Sequence, residues 1–333
     1  MIEGNSTKDI TAPLVSIAVP VYNGDEFIEE CLQSILDQSF TDWECVVVNN
    51  RSTDRTAAIV QEFMDRDPRF QLVDCEDFVG LVDNWNRLYS HITEGSKYFK
   101  VVQADDYLFP ESIGEMVTVM EAHEGVGMCS SYRIDGLKID GGGLNFYNGP
   151  VFPGKDLLVR HLNNEIDISG SVTTLMFRKS DLEKLPTFPK IFDDRDYHVD
   201  TLLAYEIMNI ADVGFVFQVL SITRVHEGAD TVRIAEKFNT FRFSQEYRFH
   251  RFKELHPDLE KLYRERRLSY AYYLFSQKIR NNRKCIEWHN QYLTRKFSFG
   301  ETLKAVLLYN GLSYRLISLF SRKRSQNTNN LNA

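Results

Sequence analysis

The sequence has few cysteines and no long hydrophobic run, and each of these absences excludes a class of protein. Its five cysteines are odd in number and widely spaced, which indicates neither a disulfide framework nor a zinc site. No segment is long and apolar enough to cross a bilayer, and the polar start MIEGNSTKDI is not typical of a secretion signal. We therefore expect a cytoplasmic protein with reduced core thiols.

Charge is divided unevenly along the chain. The formal net charge is −8, yet residues 231–333 hold 21 of the 39 Lys and Arg residues and only 8 of the 47 Asp and Glu residues. A basic C-terminal region that follows an acidic body indicates that one face meets an anionic surface, such as a membrane or a phosphorylated carrier. A nucleic acid is not expected as a partner.

Strands and helices alternate in the first half of the sequence. A β-branched run over 15–19 ends in the turn PVYNG, and apolar residues with helical spacing follow over 25–37. A second strand over 44–48 leads through NNRSTD into a helix that begins at Thr56. This alternation predicts an α/β fold with a mostly parallel central sheet flanked by helices. At 333 residues, the chain is long enough to bury a full core of this kind.

Two adjacent carboxylates, Asp105 and Asp106, follow the strand predicted over 98–102 and precede a helix opened by Pro110. In an open α/β sheet the carboxyl ends of the strands face the ligand crevice, so the pair is placed to hold a divalent cation on a diphosphate. If the strand continues regularly, the two side chains point to opposite faces. Capping of the following helix is the alternative.

Several motifs occur together in one order with compatible gaps. They are VSIAVPVYNGDEFIEECLQSILDQSF, WECVVVNNRSTDRT, GLVDNWN, YFKVVQADDYLFPES, ISGSVTTLMFRKSDL and the run over 198–231. Through them residues 13–231 resemble the GT-A family 2 glycosyltransferases, of the bacterial type found in polysaccharide biosynthesis. The resemblance implies a Rossmann-like GT-A fold and an inverting transfer of a sugar from a nucleoside diphosphate, with a bound Mn²⁺ or Mg²⁺.

The resemblance over residues 13–231 and the pattern of the remaining chain predict a domain organisation. We expect a flexible N-terminus over 1–12, a nucleotide-binding half over 13–110, an acceptor half over 111–231, a basic helical extension over 232–324 and a disordered tail over 325–333. In the extension, apolar residues from Leu303 to Phe320 recur with helical spacing beside Arg315 and the run Arg322 to Arg324. This pattern is typical of a helix lying in a membrane interface, and packing on the catalytic domain is the alternative.

The resemblance to the family also implies which residues bind the metal. Asp106 matches the last acid of the family's DxD-like motif and is the first choice of ligand. Asp105 is a second ligand or contacts the donor ribose. His226, in the turn after the last strand, is expected to reach the metal or the diphosphate, since imidazole suits both. The alternative for His226 is a surface histidine that shapes its turn.

The nucleotide is expected over the turn of Pro20, Val21 and Tyr22, with Asn50 beneath the base. The resemblance favours a UDP-sugar as donor. Relatives usually carry an aspartate at the position of Asn50, and the asparagine found here leaves the identity of the base uncertain. Further expected donor contacts come from Asp105, Trp85 and Asn86, and packing of Trp85 on the sheet is the alternative.

Asp200 opens a helix over 201–208, and by resemblance it is the base that deprotonates the acceptor hydroxyl. Its competitors are Asp193, Asp194 and Asp196, and helix capping is the alternative. The sequence thus predicts a metal-dependent inverting glycosyltransferase acting on a glycan or polyprenyl-linked acceptor, as a peripheral protein at the inner face of a membrane.

Two rival functions remain open. A nucleotidyltransferase that makes sugar nucleotides typically needs a glycine-rich basic loop after the first strand, and here that turn has only Gly24. A binding or scaffold protein with weakened catalysis is the second rival. It is supported by the amides Asn49, Asn50 and Gln103 at positions that are often acidic.

Overall fold

The computed structural model describes residues 12–192, 198–226, 247–252, 257–279, 283–292 and 297–309. The chain divides into two compact units, Met1–Arg233 and Ile234–Ala333. The competing acids Asp193, Asp194 and Asp196 lie outside the described residues, as do residues 310–333, including the basic run near the end of the chain.

The first unit is built on one sheet of ten strands. They are β1 (Val15–Val21), β2 (Trp43–Asn49), β3 (Phe70–Asp74), β4 (Tyr98–Val101), β5 (Tyr107–Leu108), β6 (Val126–Asp135), β7 (Lys138–Asp140), β8 (Val151–Phe152), β9 (Met176–Arg178) and β10 (Asp212–Thr223). The order is β3-β2-β1-β4-β9-β6-β10-β5, with β7 beside β6 and β8 beside β10.

Helices of the first unit fill the connections between strands. They are α1 (Ile28–Leu36), α2 (Thr56–Arg66), α3 (Leu81–His91), α4 (Ser112–Ala122), α5 (Gly154–Leu162), α6 (Lys179–Leu182) and α7 (Val199–Ile210). The short 3-10 segment Val172–Thr174 precedes β9. The predicted α/β fold is confirmed, and the predicted parallel pairing holds for the longer strands, β3-β2-β1-β4 and β6-β10.

The core lies on both faces of the first strands. β2 is buried at every residue, and α1 packs with its apolar stripe of Cys31, Leu32 and Ile35 inward. This burial follows from near-continuous β-branched runs, which suit a sheet covered on both faces. The cysteines in the first unit are free, and all but Cys75 are buried, as expected for reduced core thiols.

Strand pairing brings distant residues to one edge of the sheet. β1 and β2 run in parallel with Val21 opposite Asn49, so the turns that follow them lie side by side. β5 pairs antiparallel with β10, with Tyr107 opposite Ile222. The pairing places the acids just before β5 next to the residues just after β10. Loops at this carboxyl edge are where α/β sheets bind ligands.

The second unit is helical in its described residues. Its helices are Pro257–Ile279, Arg283–Tyr292 and Phe299–Tyr309, and residues 247–252 are also helical. The helix Phe299–Tyr309 starts with a capping box, in which Ser298 Oγ accepts from Glu301 N and Glu301 Oε2 accepts from Ser298 N. Leu303 and Leu307 on it are exposed, while Ala305 is buried. Over the described residues, no helix has both the length and the apolar character needed to cross a membrane.

Candidate active site

Asp105 and His226 meet at the carboxyl edge of the sheet. Asp105 Oδ2 lies 3.0 Å from His226 Nε2. The two side chains are 28% and 27% exposed, so a ligand can reach both. The His226 ring packs against Phe27, at a centroid distance of 4.7 Å, which fixes the plane of the imidazole. The arrangement presents a carboxylate oxygen and an imidazole nitrogen together.

Asp106 points in the opposite direction and is only 1% exposed. Its Oδ2 accepts hydrogen bonds from Thr173 Oγ1 at 2.5 Å and from Ser171 Oγ at 3.4 Å. Its Oδ1 accepts from Arg224 N at 3.1 Å. Burial, followed by the charge of Asp105, raises the pKa of Asp106 to about 7. Asp106, the metal ligand that the sequence predicts first, is therefore enclosed, and Asp105 is the accessible carboxylate of the two.

A buried lysine is linked to Asp106 through Thr173. Lys100, on β4, has no exposed surface, and its Nζ donates to Thr173 O at 2.6 Å and to Leu175 O at 3.3 Å. Burial lowers the pKa of Lys100 to about 7. Nothing in the apolar pattern of β4 sets Lys100 apart as part of a polar cluster, so the sequence alone does not indicate its position.

Two exposed aromatic rings flank the turn after β1. Tyr22 and Phe78 are 51% and 55% exposed, and their ring centroids are 4.8 Å apart in an edge-on arrangement. Val21 before them is buried and Pro20 is partly exposed. Exposed aromatic rings of this kind can stack on a planar ligand. Phe78 was missed from the sequence because it lies in a loop without a recognisable motif.

The two amides at the end of β2, Asn49 and Asn50, both act as donors, which an aspartate could not do. Asn50 Nδ2 donates to Val79 O at 2.9 Å, and its Oδ1 accepts from Val79 N at 3.0 Å. Asn49 Nδ2 donates to Asp74 Oδ1 at 2.8 Å. These contacts fasten the loop that carries Phe78 and give a structural reason for amides at positions where acids are common.

Trp85 and Asn86 contact a segment far away in the sequence. Trp85 is 4% exposed and packs edge-on against Phe192, with centroids 5.0 Å apart. Asn86 Nδ2 donates to Phe192 O at 3.0 Å, and its Oδ1 accepts from Phe192 N at 2.9 Å. Trp85 is therefore buried against Phe192, and both side chains hold the chain just before residue 193.

Asp200 lies in the first turn of α7 and is partly exposed. Its Oδ1 accepts from the N–H of the next residue, Thr201, at 2.7 Å. Arg224, a further candidate phosphate contact, lies over the Phe27 ring at 5.2 Å and pairs with Glu30. A partly exposed carboxylate can accept a proton, and the role of Asp200 as a base stays a prediction.

Residues 16–185 match the family model described as Glycosyl transferase family 2, and the protein belongs to that family. It is 31% identical to an uncharacterized glycosyltransferase of Haemophilus influenzae over 120 residues, which is 36% of each chain. Over 94 residues it is 34% identical to Bacillus subtilis TuaG, which is named for teichuronic acid biosynthesis; the match covers 28% of this chain and 36% of TuaG. The matches span about a third of these relatives.

Two solved structures share the fold. Staphylococcus aureus TarS 1-349 in complex with UDP-GlcNAc superposes with a TM-score of 0.55 at 18% identity, over 71% of this chain and 66% of that chain. The mannosyltransferase PcManGT of Pyrobaculum calidifontis, in complex with GDP-Man and Mn²⁺, superposes with a TM-score of 0.52 at 20% identity, over 95% of this chain and 84% of that chain. The sheet and its helices are therefore of the GT-A type.

Proposed function

We propose that the protein is an inverting glycosyltransferase that moves a sugar from a nucleoside diphosphate sugar to an acceptor hydroxyl with the aid of a divalent cation. The observation that carries the proposal is the exposed pair Asp105 and His226 at the carboxyl edge of a family 2 domain. Support also comes from the ligands named for the two neighbours of the same fold, which are UDP-GlcNAc, and GDP-Man with Mn²⁺.

The residues at the edge fit Mn²⁺ or Mg²⁺. Asp105 offers a hard oxygen and His226 a nitrogen that Mn²⁺ accepts. Among the described residues, no group of three His, Cys, Asp or Glu side chains could hold a metal ion by itself. Two protein ligands suit a cation that keeps waters and binds substrate phosphates. When bound there, the cation would stabilise the charge that develops on the leaving diphosphate.

For the nucleotide, we propose that Tyr22 and Phe78 contact the base. Asn50 lies on the same edge, and its amide oxygen keeps a second lone pair after accepting from Val79 N. A hydrogen bond from a base N–H to that oxygen lacks charge assistance, so the affinity should depend more on stacking and on the diphosphate. UDP remains the favoured nucleotide and GDP the alternative.

For the acceptor, we propose a glycan or polyprenyl-linked hydroxyl that Asp200 deprotonates as it attacks the anomeric carbon opposite the nucleotide. No covalent intermediate is needed, and inversion follows from the direction of attack. The teichuronic acid name of TuaG supports a cell-surface polysaccharide as the product. The exposed Leu303 and Leu307 support a peripheral position at the inner face of a membrane.

The rival functions have less support. The family match and the GT-A fold favour sugar transfer over nucleotidyl transfer. Amides in place of acids are the feature that would indicate weakened catalysis. Since Asn49 and Asn50 both donate hydrogen bonds that aspartates could not, their identity does not indicate decay.

The test is a thermal-shift panel of UDP, GDP, dTDP and CDP with EDTA and with Mn²⁺. A ligand that binds only the native state raises the melting temperature, and we expect a larger rise with Mn²⁺ than with EDTA. Asp105→Asn and His226→Asn should remove most of this Mn²⁺-dependent part.

His91→Asn is the matched control, because His91 is an exposed histidine at the end of α3. It should behave like the wild type. Equal shifts of the wild-type protein with EDTA and with Mn²⁺ would rule out the proposed cation.

A further inference from the structure

Three segments of the chain converge on the buried Asp106 carboxylate. The first is the turn after β4, which carries Asp105. The second is the 3-10 segment Val172–Thr174, which supplies the Thr173 hydroxyl. The third is the chain leaving β10, which supplies Arg224 N and, two residues later, carries His226. Both members of the exposed Asp105–His226 pair are therefore attached to segments that Asp106 joins.

Every polar atom of Thr173 takes part in a hydrogen bond within or next to these three segments. Its hydroxyl donates to Asp106 Oδ2 and accepts from Gln103 N at 3.1 Å. Its carbonyl accepts from Lys100 Nζ, and its N–H donates to Ser171 Oγ at 3.3 Å. Thr173 itself has no exposed surface.

One hydroxyl thus binds both ends of the turn from Gln103 to Asp106. Asp105 lies inside this turn, and Asp106 N also donates to Gln103 O at 3.0 Å. With its ends held, the turn has little freedom to rotate, and Asp105 is directed outward while Asp106 is directed inward. Lys100 Nζ donates to the Thr173 carbonyl, so Thr173 is also held from β4.

We propose that Thr173 is a positioning residue that keeps Asp105 opposite His226 for cation binding. The inference rests on the proposed function, since it takes Asp105 and His226 as the residues that hold the cation. Groups that orient metal ligands without touching the metal act in this way in many sites. Thr173 would set the affinity for the metal-bound nucleotide without contacting it.

The test compares Thr173→Val, Thr173→Ser and Thr174→Val in the full-length protein. Valine keeps the shape of threonine and removes the hydroxyl, whereas serine keeps the hydroxyl. Thr174 is the matched control, because it is equally buried in the same segment and donates to Ser171 O at 2.7 Å instead of to the Asp105 turn. Calorimetric titration of UDP and GDP, each with Mn²⁺ and with EDTA, gives the readout, and the melting temperature of each variant is measured alongside.

We expect Thr173→Val to weaken Mn²⁺-dependent nucleotide binding by about 10-fold or more, the usual effect of losing an orienting partner, and to leave binding in EDTA unchanged. Thr173→Ser should recover most of the affinity, and Thr174→Val should keep it even if its melting temperature falls. If Thr173→Val does not fold, Thr173→Ala replaces it in the same comparison.

The outcomes separate this inference from the proposed function. A wild-type protein that binds both nucleotides equally with Mn²⁺ and with EDTA would overturn the proposed cation and the role of Thr173 with it. A wild-type protein that needs Mn²⁺, combined with equal losses in Thr173→Val and Thr174→Val, would overturn only the role of Thr173. Full Mn²⁺-dependent affinity in a folded Thr173→Val variant would also overturn only the role of Thr173.

Discussion

Lys100→Met tests the buried polar cluster beneath the candidate site through the pH dependence of stability. Burial lowers the pKa of Lys100 from its ordinary value of 10.5 to about 7. Between these two values the unfolded chain holds a proton on this lysine that the folded protein does not. Stability therefore rises with pH across the window, because the unfolded state binds more protons there. Methionine cannot ionise, so the variant lacks this rise.

The size of the effect follows from the shift. Each pKa unit corresponds to about 1.4 kcal/mol, and the Lys100 contribution between about pH 8 and about pH 9.5 comes to about 2 kcal/mol. The lower limit lies above the pKa of Asp106, which is about 7 in the wild-type protein, so Asp106 is largely ionised there across the range. Methionine also leaves Thr173 O and Leu175 O without their donor. This loss adds a destabilisation that does not depend on pH and cancels when the two pH values are compared.

The assay is thermal melting of the wild type and of Lys100→Met at the two pH values. For a unit of this size about 2 kcal/mol corresponds to roughly 4–8 °C, so the melting temperature of the wild type relative to the variant should rise by that amount at the higher pH. Lys97→Met is the matched control, since Lys97 is 43% exposed and pairs with Glu121 at the surface. A difference between wild type and Lys100→Met that is the same at both pH values would show that burial does not shift this lysine.

Two further predictions concern the acceptor side and the membrane. Asp200→Asn should leave nucleotide affinity nearly unchanged in calorimetry and slow sugar transfer by about 10²-fold or more, as expected for loss of a general base. Near wild-type turnover would transfer the role to Asp193, Asp194 or Asp196. The full chain should co-sediment with anionic vesicles at low salt and less at high salt, whereas a chain ending at Phe299 should stay in solution. The reason is that basic residues and an apolar helix face both contribute to binding at an anionic membrane surface, and salt screens the charges. Equal pelleting of the two chains would favour packing of that face within the protein.

The sequence by itself was sufficient for the fold class and for the edge of the sheet that carries the candidate site. β-branched runs and helical spacing alternate over residues 15–66, and both signals are local, since each depends on residues a few positions apart. The ordered motifs led to the same family as the comparison over 16–185. Parallel strands then require the turns after β1, β2 and β4 to share one edge, whatever the details of packing.

The orientations of individual side chains at that edge were decided by tertiary contacts. Strand alternation predicted that Asp105 and Asp106 face opposite ways, but not which of them faces outward. That choice depends on Thr173 and Arg224, which lie 67 and 118 residues from Asp106 along the chain. The side-chain amide of Asn86 likewise donates a hydrogen bond to Phe192 O, 106 residues away along the chain. Hydrogen bonds between such distant positions leave no periodic signal in the sequence, because partners of that kind become neighbours only when the sheet and its crossovers have formed.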